Sequence, residues 1–82
     1  MVVSTERALS HPRRVEILDY LMRKGNGTGT RQTELVRALD LSEIELKYHL
    51  LVLDDAELIA QVEGRGRRGP ERSYNAAASA DL

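Results

Sequence analysis

Cysteine is absent from these 82 residues, and so are tryptophan and phenylalanine. Without thiols, neither disulfides nor thiolate metal sites can form. No apolar run approaches the roughly 20 residues a membrane span needs, and the N-terminus has no signal-peptide core. The expectation is therefore a soluble, cytoplasmic protein with no membrane contact. Only two histidines are present, His11 and His49. With no cysteine and no pocket-forming sheet, they offer no nucleophile–base pair, so the chain reads as non-enzymatic and without a cofactor.

What is present suits one small folded domain. Hydrophobic residues make up 41% and charged residues 30%, which separates the chain from disordered sequences. A chain of this size buries only about 60% of its unfolded surface, so its stability should be modest. The net charge is −1, but the distribution is uneven. Residues 1–63 carry eight basic against eleven acidic groups, whereas residues 64–72 carry Arg65, Arg67, Arg68 and Arg72 against Glu71 alone. Positive charge is gathered in one short stretch, the pattern of a local anion contact.

Local signals give the element order. Residues 4–9 read as a short helix with Ser4 as cap and Leu9 as anchor. His11-Pro12 opens a longer one, because proline at the first helical position loses no hydrogen bond. Val15, Leu18, Leu21 and Met22 form its apolar stripe with Ile17 on the flank, and Arg23-Lys24-Gly25 ends it. After a Gly-rich loop, Thr30 reads as the N-cap of a helix reaching Leu39, with Leu35 and Leu39 inward. Asp40-Leu41 makes a tight turn, and Ser42 with Glu45 forms a capping box. The helix that follows runs to about Asp55 and buries Leu46, Leu50 and Leu53. A β-hairpin is expected at 59–63 and 72–75, interrupted by the glycines and Pro70 of 64–70, with Tyr74 the largest apolar group available to pack back. Residues 1–75 then make the domain and 76–82 a short flexible tail. The fold class is mainly α with a small β-hairpin: a helix-turn-helix followed by a wing.

With this order in place, the sequence resembles the ArsR-type winged-helix regulators. The likeness rests on Ala8-Leu9-Ser10-His11-Pro12-Arg13-Arg14 leading to Ile17-Leu18. It continues in Leu41-Ser42 with Tyr48-His49-Leu50, Leu53 and Asp54-Asp55-Ala56-Glu57-Leu58-Ile59, and in Gly66-Arg67-Arg68-Gly69-Pro70 with Tyr74. The resemblance spans about residues 8–75. It implies a prokaryotic transcriptional regulator binding double-stranded DNA, with helix 43–55 in the major groove and the wing tip on the backbone or minor groove. The DNA contacts it implies are Thr30, Arg31 and Gln32, then Ser42, Glu43, Ile44, Glu45, Lys47 and Tyr48, and in the wing Arg65, Arg67, Arg68 and Arg72.

The sequence departs from the family pattern in three ways. Metal-sensing members use cysteine or histidine clusters, which this chain lacks, so metal sensing is not expected. The family dimerises through terminal helices, and few residues follow Asn75, so a monomer or weak homodimer, pairing on DNA, is the expectation. Glu57 stands where the family commonly has glycine, which predicts a left-handed backbone at that residue.

Several motifs carry two readings. Gly64-Arg65-Gly66-Arg67-Arg68-Gly69 matches the dinucleotide fingerprint G-x-G-x-x-G, but Pro70 and a short strand follow it where a helix is required. An arginine-bearing hairpin tip is the better reading, set either on phosphate or free in solvent. On helix 43–55, Lys47 can reach phosphate or guanine, Tyr48 phosphate, and Ile44 a thymine methyl. Glu43 and Glu45 bring negative charge, and Ile44, Tyr48 and Leu51 would equally suit a protein partner. His49 lies between the core and exposed faces and reads as a packing or hydrogen-bonding histidine rather than a ligand.

Overall fold

The computed structural model describes residues 4–25, 29–62 and 73–77. Each of its first two helices begins on a side-chain cap. The Ser4 hydroxyl accepts the Arg7 N–H at 3.2 Å and opens α1 (Thr5–Ala8). Nδ1 of His11 accepts the Arg13 N–H at 3.2 Å and opens α2 (Pro12–Lys24), with Pro12 at its start. Ala8, rather than Leu9, is the fully buried anchor of α1; Leu9 is half-buried against the core.

The buried face of α2 is Arg14, Ile17, Leu18 and Leu21. This corrects the expected stripe: Ile17 is central, Val15 is half-buried, and Met22 is exposed. Both stripes obey helical spacing and share Leu18 and Leu21, so periodicity alone does not choose between them. An arginine occupies the fourth position because its guanidinium finds partners inside, described below.

A second correction concerns Thr30. It does not cap the next helix but lies in β1 (Thr30–Arg31), a two-residue strand. Its β-branched side chain is 1% exposed. Helix α3 (Gln32–Leu39) therefore starts from Arg31, whose side chain makes no capping bond. Leu35 is buried, and Val36 and Leu39 pack partly against the core.

Asp40 closes α3 in the left-handed region, with φ 52° and ψ 50°. That bend inserts Leu41 into the core and brings the Leu41 N–H to the Val36 carbonyl at 3.3 Å. Arg13 of α2 reaches across to donate to the Asp40 carbonyl at 3.2 Å. Ser42 then caps α4 (Glu43–Asp55): its Oγ accepts the Glu45 N–H at 3.1 Å and donates to Glu45 Oε1 at 3.0 Å. The serine half of the expected box is present, but the Glu45 carboxylate accepts from the Ser42 hydroxyl rather than from the Ser42 N–H that would complete the box. Leu46, His49, Leu50 and Leu53 face inward.

Beyond Ala56, Glu57 has φ 61°. The Glu57 and Leu58 N–H groups donate back to the Asp54 and Leu53 carbonyls at 2.9 and 3.0 Å, satisfying the helix end. The left-handed Glu57 agrees with the expectation. Strand β2 (Ile59–Val62) pairs antiparallel with β3 (Ser73–Ala76), in the register Ile59↔Ala76 to Val62↔Ser73.

The sheet has three strands, in the order β1-β3-β2, not the two expected. β1 joins through Thr30↔Tyr74 and Arg31↔Ser73. β3 also runs further than expected: Ala76 is buried, and the Ala77 N–H donates to the Leu58 carbonyl at 2.8 Å, so neither belongs to a loose tail. Tyr74, 4% exposed, packs into the core as expected. The result is mainly helical with a small antiparallel sheet. Among the described residues no helix is long and apolar enough to cross a membrane.

Candidate functional site

The capped start of α4 and its buried Leu46/Leu50/Leu53 face fix which residues point outward. Ile44, Tyr48 and Leu51, at i, i+4 and i+7, are 82%, 57% and 66% exposed. They form one apolar stripe in solvent. Lys47 stands beside it, and Glu43, Glu45, Asp54 and Asp55 are exposed on the same helix. The helix thus carries four exposed carboxylates against one ammonium, so a polyanion meeting it must be held by positive charge from elsewhere.

Arg31 and Arg37 are exposed on the β1–α3 segment and line a separate concavity with Thr33, Glu34 and Ala38. Gln32 is half-buried, and its Nε2 donates to the Tyr74 hydroxyl at 3.2 Å. An open cleft of about 380 Å³ runs between α4 and the sheet, with Gln32, Lys47, Leu51, Asp54, Gln61 and Tyr74 among its walls. The structure therefore gathers Gln32, Lys47 and Leu51, the last residue of the outer α4 stripe, along one cleft. Gln61 belongs to that group and carried no signal in the sequence, since an exposed polar residue in a strand is ordinary.

Other expected contacts fall elsewhere. Thr30 is enclosed in the sheet, which removes its side chain from any outer surface. The Ser42 hydroxyl and the Glu45 carboxylate are engaged with each other at the head of α4. Arg65, Arg67, Arg68 and Arg72 lie outside the described residues.

Behind the stripe is a cationic cluster. Nε of Arg14 donates to Nδ1 of His49 at 3.2 Å, and Nη1 makes a long 3.5 Å contact with the Ala8 carbonyl. Both side chains are buried, at 8% and 5% exposure. The guanidinium carbon lies 5.4 Å from the centre of the Tyr48 ring, and the His11 ring centre lies 4.6 Å from that of His49. Burial, helped by the positive fields of His11 and Arg14, holds the His49 imidazole below its ordinary pKa. His49 is thus a packed, hydrogen-bonded histidine. Arg14 was assigned no role from sequence, although its place on the Ile17/Leu18/Leu21 face marks an arginine aimed at the core. Among the described residues no three His, Cys, Asp or Glu side chains come together as metal ligands.

No protein-family profile matches the chain, and no curated protein is significantly similar to it.

Proposed function

We propose that the chain is a winged helix-turn-helix domain that binds double-stranded DNA as a transcriptional regulator. One observation carries the reading. A tight turn at Asp40–Ser42 joins α3 to α4, α4 turns Ile44, Lys47, Tyr48 and Leu51 outward, and the antiparallel pair β2/β3 follows directly. In sequence, the stretch joining β2 to β3 holds four arginines, a source of the positive charge that α4 lacks. At 13 residues, α4 is about 20 Å long, and a helix of that kind fits the roughly 12 Å wide major groove.

On this reading Lys47 and Tyr48 meet phosphate or base edges, Ile44 meets a thymine methyl, and the arginines grip the backbone or minor groove. Gln32 and Gln61 line the cleft with Lys47. Glu43 and Glu45 limit the base choices, because a carboxylate can accept only from exocyclic amines, usually that of cytosine.

A second reading rests on the high exposure of Ile44, Tyr48 and Leu51: the same helix docks a protein partner. Titrating the labelled chain with mixed-sequence duplex and following backbone amide signals separates the two. DNA binding moves the amides of 43–51 together with Arg31 and Gln32, and Lys47→Ala or Tyr48→Ala changes the preference among duplexes. Amide signals that ignore every duplex, with a protein complex abolished by Tyr48→Ala, would select the protein partner.

A further inference from the structure

Tyr48 is half in solvent, yet its ring is not free. Its inner side faces the Arg14 guanidinium, whose carbon sits 5.4 Å from the ring centre, and its centre is 5.6 Å from that of His49. The same guanidinium donates from Nε into Nδ1 of His49 at 3.2 Å. One buried cation thus spans α2 and α4 and touches both the interior histidine and the exterior tyrosine.

The protonation states follow from the bond. A hydrogen bond donated into Nδ1 requires that nitrogen's lone pair, so His49 is neutral with its proton on Nε2. Arg14 cannot yield its proton at any physiological pH. Protonating His49 would set an Nδ1–H against the Nε–H of Arg14, donor against donor, and add a like charge beside a buried cation. The groups facing His49 are His11 and Arg13 from the start of α2, Arg14 from its buried face, and Glu45 one turn earlier on α4. Three of the four, His11, Arg13 and Arg14, disfavour the protonated form of His49. Glu45 is the one opposing charge, and its carboxylate is already engaged by Ser42.

We propose that Arg14 and His49 are positioning residues for Tyr48, and that protonation of His49 releases Tyr48 and makes the outer face of α4 pH-sensitive. The functional consequence rests on the DNA-binding reading above: a released Tyr48 no longer holds its contact with the duplex. The sign is distinctive. Acidification adds positive charge to the protein, which by itself strengthens binding to phosphate. Here it weakens binding.

Nuclear magnetic resonance tests this on the whole chain, following the His49 and Tyr48 ring signals through a pH titration. In parallel, affinity for a labelled mixed-sequence duplex is measured at about pH 7.5 and at about one unit below the observed His49 inflection, so that the imidazole is neutral in one and protonated in the other. Two variants accompany the wild type. His49→Asn keeps an acceptor oxygen near the position of Nδ1 and does not titrate. His11→Asn removes the second imidazole and retains a strong helix cap.

The Tyr48 signals are expected to move with the His49 inflection in the wild type and in His11→Asn, and to stay flat in His49→Asn. Wild-type affinity should fall about threefold to tenfold on acidification, the scale of one hydrogen-bonded contact, and affinity of His49→Asn should not fall. Tyr48 signals that ignore the His49 inflection overturn the proposal, and the wild-type titration decides this even if His49→Asn does not fold. Affinity that rises on acidification alike in both proteins also overturns it. Coupled His49 and Tyr48 signals with no duplex affinity at either pH would leave the positioning role standing and remove the DNA-binding reading.

Discussion

Gly29 lies so close to Ser73 that a methyl group on its Cα would stand 2.8 Å from the Ser73 Cβ and 2.8 Å from Cγ2 of Val62. Its φ of 89° is also a conformation that side chains resist. This contact is where β1 enters the sheet and where α3 is hung from β3. Gly29→Ala should therefore lower the unfolding free energy by about 2–4 kcal/mol, combining backbone strain with overpacking. Chemical denaturation checks it; a loss below the scatter of surface substitutions would mean that the strand junction yields easily.

Glu57 is the opposite case. It holds φ 61° at the end of α4, is exposed, and has no side-chain partner among the described residues. Glycine relieves the strain but adds entropy to the unfolded chain. Glu57→Gly should raise stability by about 1 kcal/mol net, read as a higher denaturation midpoint. A lower midpoint would reveal a role for the carboxylate.

These two positions also mark what the sequence discloses. Caps act over three or four residues, so Ser4, Pro12 and the Ser42/Glu45 pair were legible, and with them the ends of α1, α2 and α4. The left-handed Glu57 was legible through the family resemblance. Strand β1 was not, because two residues carry no periodicity and Thr30 finds its partner Tyr74 across the length of the chain. A similarly long-range pairing hid the Arg14–His49 bond, which puts Arg14 and Ile17, in place of Val15 and Met22, on the buried face of α2. On the candidate site, the outward α4 stripe followed from helical spacing, whereas the enclosure of Thr30 and the approach of Gln61 depend on the sheet.

Tyr20 and Glu34 tie α2 to α3. The phenol donates to Oε2 at 2.6 Å, and Lys24 Nζ approaches the same oxygen at 3.1 Å. The Tyr20 bond, then that of Lys24, holds the Glu34 carboxyl below its ordinary 4.5, and the Glu34 bond raises the Tyr20 phenol above 10.0. For a carboxylate with a depressed pKa, the stabilisation is complete above 4.5 and is lost as pH falls through the lower folded value. Tyr20→Phe should return the Glu34 pKa towards normal and shift acid unfolding to higher pH. Unchanged acid unfolding would show that Lys24 alone holds the carboxylate.

His49 adds a second acid sensitivity. Its folded pKa lies below 6.5, so the unfolded chain takes up the proton first and stability declines as pH drops below that value. His49→Asn should flatten the stability profile between the histidine and carboxylate ranges while leaving the Glu34 transition in place. Urea midpoints measured across that window would show the difference, and parallel profiles for the two proteins would exclude the histidine as its source.

The most direct test of the DNA-binding function is the salt dependence of affinity for mixed-sequence duplex DNA. If arginines and lysines displace counterions from phosphate, log affinity falls linearly with log salt, and each lost contact flattens the slope by about one unit. Arg67→Ala and Arg68→Ala should each do so and weaken binding to all sequences alike, with Lys47→Ala acting instead on discrimination if it meets a base. Absence of salt-sensitive affinity for any duplex at low ionic strength would contradict the function proposed for this domain.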